Sequence, residues 1–313
     1  MKRLSRRLGY AIGWGTAGVL LLLASATPLV IATVHLLMVP PVMLAARLTP
    51  KGFAGSFAAV VAVAYGLPAA AGMPEWGMVL AVPAIFFLIP SVLMGTMYRR
   101  KTAAFTTVAA AAIALLAQWL VIFVGLYAAG INVVAELEQF LRESIREAVR
   151  FWGLRVEDGE TEQIVRMFSR AIPLMLIGFS VYYAALTHAV ARRLLALHGE
   201  TVPGMPPVRD WMLPKSLVWV YVVVLLADMF TRPQPDSALA AVLANVLPIL
   251  QFAFSVQGVS FLSFWMHHAR GRGRVTAITA FVLVLLFPPA TVLASLLGVF
   301  DVAFPLRERV RRR

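Results

Sequence analysis

Residues 103–129 read AAFTTVAAAAIALLAQWLVIFVGLYAA, a run of 27 residues without a charged side chain. An α-helix rises 1.5 Å per residue, so about 20 apolar residues are enough to cross a hydrocarbon core roughly 30 Å thick. A closed membrane barrel would instead need short strands of alternating polarity. This run therefore predicts a membrane helix, and several other windows of the chain have the same character.

The composition supports the same fold class. The chain has 313 residues, of which 60% are hydrophobic and 14% are charged, and its mean hydropathy is +0.82. Soluble domains contain about 45–50% apolar and about 25% charged residues. We therefore predict an all-α, polytopic transmembrane helical bundle of eight or nine spans, in contact with the lipid bilayer and carrying an extracytoplasmic amphipathic helical hairpin.

Nine apolar segments are candidates for the spans, at about 8–26, 29–46, 53–71, 78–97, 103–129, 172–190, 217–229, 238–265 and 278–299. The last one is interrupted by Pro288-Pro289, so it either crosses once or turns back as a re-entrant hairpin. Its 22 mostly apolar residues favour a single crossing, because two half-depth arms would need a different length.

The distribution of basic residues predicts the orientation. The net charge is +13, which nucleic-acid binding or membrane topology could explain. The basic residues flank the apolar spans, so topology is the better explanation and no nucleic-acid partner is expected. Basic clusters then lie on the cytoplasmic side with the N-terminus, and 131–170 lies outside. Nine spans would place the basic tail 307–313 outside, against the rule, and eight would place it inside.

The first 26 residues also resemble a cleavable leader. A basic start, an apolar run and the small residues Ala24-Ser25-Ala26 fit that pattern. Pro28 and the glycine-rich first span argue against cleavage. The prediction is an uncleaved first span, with cleavage as the alternative.

A charged segment, residues 136–168, separates the fifth and sixth spans. Its apolar positions recur in steps of three or four, as on one face of a helix; they are Leu137, Leu141, Ile145, Ala148 and Trp152. Gly153 is a natural helix stop, VEDGE (156–160) is predicted to turn, and a second helix is predicted from about Glu160 into the sixth span.

This segment divides the chain into three predicted parts. Residues 1–130 form the N-terminal membrane helices, 131–170 the extracytoplasmic amphipathic hairpin, and 171–313 the C-terminal membrane helices. The hairpin is interpreted as a connector that rests on the bundle or the lipid. A lid over a substrate entrance and a docking surface for a partner are the alternatives.

Polar side chains within spans are candidates for substrate binding, because burying them in lipid is costly. The strongest are His35, which precedes the Pro40-Pro41 break, and Gln257. An interhelical hydrogen bond is the structural alternative for each candidate. The full set of candidate substrate-binding residues is His35, Gln118, Asn245, Gln251 and Gln257.

Small residues on the first span form a second kind of candidate. Gly9, Gly13 and Ala17 lie four residues apart and therefore share one helix face. Such a face permits close helix approach, either inside the bundle or against a partner in the membrane.

The sequence gives little support for a catalytic, metal-binding or cofactor-binding function. The chain has no cysteine, which excludes disulfides and thiolate metal sites. Metalloprotease, nucleophile-elbow, P-loop and dinucleotide-binding motifs do not occur in it. No catalytic residue, metal site or cofactor is predicted, and an enzymatic function is not expected.

Five segments together resemble the YybS-like family of uncharacterised bacterial multi-pass membrane proteins. They are VPPVMLAARL (39–48), the hairpin before the sixth span, RDWMLPKSLVW (209–219), QGVSFLSFW (257–265) and GVFD (298–301). The resemblance implies a bacterial plasma-membrane protein. The chain is also similar, more distantly, to the substrate-binding subunits of energy-coupling-factor vitamin transporters, which have about six spans and small-residue faces that dock an energising ATPase module.

Two functions follow as expectations. The first is a transport-related substrate-binding or permease-like subunit for a small polar solute, with a midplane cavity near His35, Gln118 and Gln257. The second is a non-transporting scaffold or regulator that assembles with another membrane protein. Polar residues around a cavity would favour the first, and a solidly packed bundle with an exposed apolar stripe on the hairpin would favour the second.

Overall fold

The computed structural model of the chain describes residues 2–153, 158–231, 237–271, 273–304 and 306–311. Two short 3-10 helices, Val34–Leu36 and Val208–Asp210, accompany the α-helices. The α-helices are α1 (Lys2–Ser25), α2 (Val30–Thr33), α3 (Val39–Arg47), α4 (Pro50–Ala70), α5 (Pro74–Phe86), α6 (Leu88–Arg99), α7 (Ala104–Ala128), α8 (Val133–Trp152), α9 (Asp158–Leu197), α10 (Ser216–Thr231), α11 (Ala238–Arg270), α12 (Gly273–Leu286), α13 (Pro288–Ala303) and α14 (Leu306–Arg311).

Seven helical segments within the described ranges are long and apolar enough to cross a membrane. They are Arg7–Ser25, Val30–Arg47, Pro50–Ala70, Pro74–Arg99, Ala104–Ala128, Gly159–Leu197 and Ala238–Ala269. The predicted polytopic helical fold is therefore confirmed. The predicted seventh span is the 16-residue α10, and the predicted ninth is divided between α12 and α13, so both are shorter than a full crossing.

The division of the ninth segment occurs at the predicted proline break. Phe287 adopts an extended conformation (φ −130°, ψ 98°), and α13 begins at Pro288. Proline is favoured at the start of a helix, where its missing N–H has no partner to lose. The single crossing favoured by length is therefore replaced by two short helices.

Helix α13 runs in the same direction as α11. Ser255 Oγ donates to Thr291 O (2.9 Å), while Gln257 Nε2 donates to Asp301 Oδ2. Arg307, beyond the end of α13, donates to Ser260. Residue numbers thus rise together along both helices, so the tail follows the C-terminal half of α11. This path resembles the re-entrant alternative.

The helices pack into two compact units, one formed by Met1–Val133 with Leu176–Met205 and the other by Val134–Met175 with Pro206–Arg313. The centre of the first unit is α3, in which every residue from Val39 to Ala45 is buried. Helix α6 approaches α3 closely at Gly95, where an added Cβ would lie 2.7 Å from the carbonyl carbon of Ala45. The segment VPPVMLAARL is therefore the core helix of this unit.

The charged segment forms the predicted helical hairpin. Helix α8 ends at Trp152, Gly153 takes the left-handed conformation (φ 63°), and α9 runs unbroken from Asp158 to Leu197. Arg142 Nε contacts Glu162 Oε1 at 2.8 Å and joins the two helices. That hydrogen bond raises the pKa of the Arg142 guanidinium. The predicted turn VEDGE lies partly outside the described residues.

Helix α8 is amphipathic but contains no buried residue. Phe140, Phe151 and Trp152 expose 63%, 81% and 72% of their surface. Its apolar face is therefore only partly covered by its own unit.

Candidate functional site

A buried ion pair joins α13 to α14 in the second unit. The side chain of Asp301, on α13, is fully buried, and that of Arg307, on α14, is only 12% exposed. Arg307 Nη2 donates to Asp301 Oδ2 at 2.8 Å, and Arg307 Nε lies 3.1 Å from both carboxylate oxygens. Burying charges costs several kcal/mol per ion unless they are paired and hydrogen-bonded, and this geometry supplies both conditions.

The rest of the Arg307 guanidinium is also bonded to protein. Nη1 donates to Arg209 O (2.7 Å), Nη2 donates to Ser260 Oγ (2.9 Å), and the guanidinium carbon lies 5.2 Å from the Phe264 ring centre. Arg307 thus ties α14 to α11 and to the segment before α10.

Gln257 closes this network from α11. Its Nε2 donates to Asp301 Oδ2 (2.5 Å), and its Oε1 accepts from the Leu213 N–H (3.0 Å). Ser260 Oγ donates to Trp211 O (2.9 Å). Three of the segments that resemble the YybS-like family, 209–219, 257–265 and 298–301, therefore meet at one buried cluster. Both the oxygen and the nitrogen of the Gln257 amide are hydrogen-bonded to protein groups. A substrate-binding role for Gln257 stays a prediction.

Two glycines allow α11 and α13 to touch. A Cβ added at Gly258 would overlap Ala294 O, and a Cβ added at Gly298 would overlap Phe254 O. Backbone cannot move aside as a flexible side chain can. Close contact of this kind is what small residues permit in membrane helices, and it brings Asp301 within reach of Gln257.

Asn245, another sequence candidate, also bonds to backbone. Its Oδ1 accepts from Leu174 N (3.2 Å), and its Nδ2 donates to Arg170 O (2.9 Å) and Ala241 O (2.8 Å). Leu174 and Arg170 flank Pro173, which lacks an N–H and weakens the hydrogen bonding of α9 there. Asn245 therefore supports α9 at its proline.

Gln251 is half-buried six residues further along α11, where its backbone carbonyl accepts from Ser255 Oγ at 2.7 Å. This contact does not involve the side-chain amide. A substrate-binding role for Gln251 stays a prediction.

In the first unit, His35 and Gln118 make one bond each to protein. His35 Nδ1 lies 3.0 Å from Tyr182 OH, and the two rings pack edge to face. Gln118 Nε2 donates to Phe86 O (2.8 Å). These two residues belong to the first unit and Gln257 to the second, so the predicted cavity shared by all three stays a prediction.

Buried polar atoms without a partner are the distinctive feature of the first unit. Within the described ranges they are Ser91 Oγ, Gln118 Oε1, Trp119 Nε1, Thr187 Oγ1 and His188 Nε2. More than nine buried polar groups in ten are normally satisfied in native structures, so each such atom requires an explanation.

His188 is the titratable member of this set, and it is buried, with 3% exposure. Its Nδ1 lies 3.0 Å from Tyr98 OH, and its electrostatic neighbours include Arg192 and the backbone of Pro203. The contact with Tyr98 fixes the orientation of the His188 ring and therefore the direction in which Nε2 points.

The small-residue face of α1 does not pack inside its unit. A Cβ added at Gly9 or Gly13 would meet no heavy atom within 4 Å, and Ala17 is half-buried. Contact with α4 is instead made by Gly15 and Gly18, which would bring a Cβ within 3.6 and 3.5 Å of Val60. The helix face at Gly9 and Gly13 is therefore open, and a docking role for Gly9, Gly13 and Ala17 stays a prediction.

The family described as "Predicted membrane protein (DUF2232)" matches residues 16–302. The chain belongs to the DUF2232 family. The match extends from α1 to the end of α13 and so includes both Gln257 and Asp301, whereas Arg307 follows it. This result confirms the resemblance to the YybS-like family.

A curated relative of this DUF2232 protein is "Uncharacterized protein YybS" of Bacillus subtilis (strain 168). The two are 23% identical over 225 residues, which cover 70% of this chain and 72% of the relative. No solved structure matches the chain.

The sequence identified several of the buried polar residues but did not predict which side chains they contact. Arg307 looked like one member of a basic tail, and Tyr98 like part of an apolar span. A single acid six residues before an arginine was the available signal for the Asp301–Arg307 pair, but that separation gives no direction in space. Tyr98 and His188 lie 90 residues apart, and only folding brings them together.

Proposed function

We propose that this DUF2232 protein is a transport-related membrane subunit that binds a small polar solute within its first unit. The observation that carries the proposal is that the unpartnered buried polar atoms found in the described ranges all belong to this unit. Leaving such an atom unbonded costs about 1–3 kcal/mol. A polar solute with matching donors and acceptors would supply the missing hydrogen bonds.

The number of spans in the first unit supports the same proposal. The unit contains five complete candidate spans and the 176–197 part of α9, which makes six crossings. The substrate-binding subunits of energy-coupling-factor transporters, to which the sequence is distantly similar, have about six. The second unit would then be an addition to a six-span core, and an ATPase module would be the energising partner.

The orientation is part of the proposal. Arg47 and Arg99, at the ends of α3 and α6, and Arg192-Arg193, near the end of α9, would be cytoplasmic under the positive-inside rule. The N-terminus would then be cytoplasmic and the α8–α9 turn extracytoplasmic, in the bacterial plasma membrane. Residue-by-residue labelling of single cysteines from outside intact cells tests this orientation, and the natural absence of cysteine makes the background low.

Replacing Thr187 by Val tests the solute site. This change removes the buried hydroxyl at nearly constant volume, so we expect retention of a bound polar metabolite to fall about tenfold, as for the loss of one hydrogen bond to a buried ligand. The matched control is Thr106→Val, because Thr106 is exposed. The measurement is mass spectrometry of small molecules that co-purify from native bacterial membranes in mild detergent.

Equal metabolite retention by both variants would contradict the solute site. Recovery of an ATPase module with the wild type would support a transport assembly. A stoichiometric membrane partner without any small molecule would instead favour the second candidate function.

That second candidate is a non-transporting scaffold, and the exposed apolar face of α8 is the observation that favours it. Phe151→Ser would then reduce recovery of a membrane partner by about tenfold or more, since buried aromatic residues dominate interfaces. Phe105→Ser, at an equally exposed aromatic residue of α7, is the control and should leave recovery unchanged. Loss of the partner in both variants, or in neither, would count against a docking role for α8.

A further inference from the structure

A polar cleft of about 390 Å³ opens in the first unit, and none of the unpartnered buried atoms belongs to its lining. This volume is within the range of small-molecule sites. The residues that line it are Arg7, Tyr10, Ala46, Arg47, Leu48, Arg99 and Glu200.

The cleft lies where four candidate spans begin or end. Arg7 is the first residue of one span, Arg47 and Arg99 are the last residues of two others, and Glu200 follows the end of α9 at Leu197. All of them therefore face the same membrane surface, which the positive-inside rule predicts to be cytoplasmic.

The charges around the cleft are unbalanced. Three guanidinium groups line it, opposed by one carboxylate, for a net charge of +2. The Arg47–Glu200 contact is long, at 3.6 Å, and the Glu200 side chain is 53% exposed. A loose surface ion pair of this kind contributes little, so an incoming anion can displace Glu200 at small cost.

Two of the arginines are held in position by the fold. Arg99 Nη1 donates to Ala45 O and to Leu48 O (3.1 Å), which are carbonyls at the C-terminal end of α3. Arg47 lies over the Tyr10 ring at 4.6 Å from its centre. Because these arginine side chains are already ordered, they would lose less rotamer entropy when a ligand binds.

The Tyr10 ring that supports Arg47 is itself fixed. Its hydroxyl donates to Met43 O (3.0 Å), and its ring packs edge to face with His198 at 5.2 Å. The Tyr10 ring is thus a fixed part of the cleft lining, and the Arg47 guanidinium lies over it.

We propose that this cleft binds a phosphate group. Planar guanidinium groups match phosphate oxygens through paired hydrogen bonds, and arginine is the residue most used for this purpose. The group would come either from the headgroup of an anionic lipid or from a small phosphorylated molecule in solution. A site at a membrane surface is accessible to both.

The test uses the full-length protein in nanodiscs. Binding of phosphatidylglycerol is measured by native mass spectrometry after release from mixed phosphatidylglycerol–phosphatidylcholine discs, and binding of inorganic pyrophosphate by thermal shift in discs of phosphatidylcholine alone. The variants are Arg7→Gln and Arg47→Gln, while Arg99 is left intact because it holds the end of α3. Arg100→Gln is the matched control, since Arg100 is exposed and does not line the cleft.

We expect Arg7→Gln and Arg47→Gln to weaken binding of one probe about tenfold each, with Arg100→Gln unchanged. Arg47→Lys keeps the positive charge but removes the paired N–H donors of the guanidinium. This variant should therefore also weaken binding, provided that it folds like the wild type. The probe that responds identifies the source of the phosphate. Equal weakening by all three glutamine variants would mean general surface charge, and no binding of either probe would exclude the site; both results overturn the proposal.

The phosphate cleft and the solute site can fail separately. None of the cleft residues is among the unpartnered buried groups. Thr187→Val, which tests the solute site, should leave phosphate binding unchanged. Loss of phosphate binding in Thr187→Val would contradict two independent sites.

Discussion

Replacing Arg307 by Ala is expected to destabilise the second unit by about 3–5 kcal/mol. The change leaves the fully buried Asp301 carboxylate without its charge partner, and removing one member of a buried ion pair is far more costly than removing both. It also removes the hydrogen bonds that Arg307 donates to Arg209 O and Ser260 Oγ. The protein is heated in detergent, and the fraction that stays folded at each temperature is measured by size-exclusion chromatography. The midpoint of unfolding is then compared between the variant and the wild type.

Two further variants separate the ion pair from general effects on the tail. Arg309→Ala alters an arginine on the same short helix that does not contact Asp301 in the described structure, so its unfolding midpoint should stay within the wild-type error. The double change Asp301→Leu with Arg307→Met removes both charges and should recover most of the stability. A fully stable Arg307→Ala protein would show that the ion pair does not hold the tail.

Gly298→Ala is expected to lower stability by about 3 kcal/mol, at the upper end of overpacking effects, because backbone atoms form the obstacle. The added Cβ would overlap Phe254 O and lie 2.9 Å from Gly258 N. The helices would have to separate, which would lengthen the Gln257–Asp301 hydrogen bond. The measurement is the shift in unfolding midpoint by the same heating assay.

The control for this prediction is Gly125→Ala on α7, where an added Cβ would meet nothing within 4 Å. Alanine is a better helix former than glycine, so this variant should be neutral or slightly more stable. An unchanged midpoint for Gly298→Ala would mean that α13 is free to move along α11, contrary to the tight contact described.

Local patterns in the sequence were enough for the hairpin and most spans. The three- and four-residue spacing from Leu137 to Trp152 depends only on helix geometry, so α8 and its end at Gly153 could be predicted closely. The break before Pro288 was equally predictable, because proline restricts its own backbone and removes a donor wherever it occurs. Whether the two resulting helices cross separately or turn back depends on their contacts with α11.

The roles of single polar residues were less predictable. Gln257 and Asn245 were correctly singled out as polar groups within spans, but the structure gives each of them protein partners from other helices. A sequence reports the cost of burying an amide, whereas the groups that offset that cost come from distant segments. For the same reason Arg307 carried no signal beyond its positive charge.

The sequence by itself determined that this DUF2232 protein is a helical membrane protein, where its main spans lie and where its charged hairpin begins and ends. These properties follow from hydropathy, helical periodicity and backbone restriction, all of which act over a few neighbouring residues. Only the tertiary structure decided that Asp301, Arg307 and Gln257 meet, that Arg7, Arg47 and Arg99 line one cleft, and which helices pack into each compact unit. Those outcomes depend on which helices pack together, and helix packing is fixed by shape and hydrogen bonding between segments far apart in the chain.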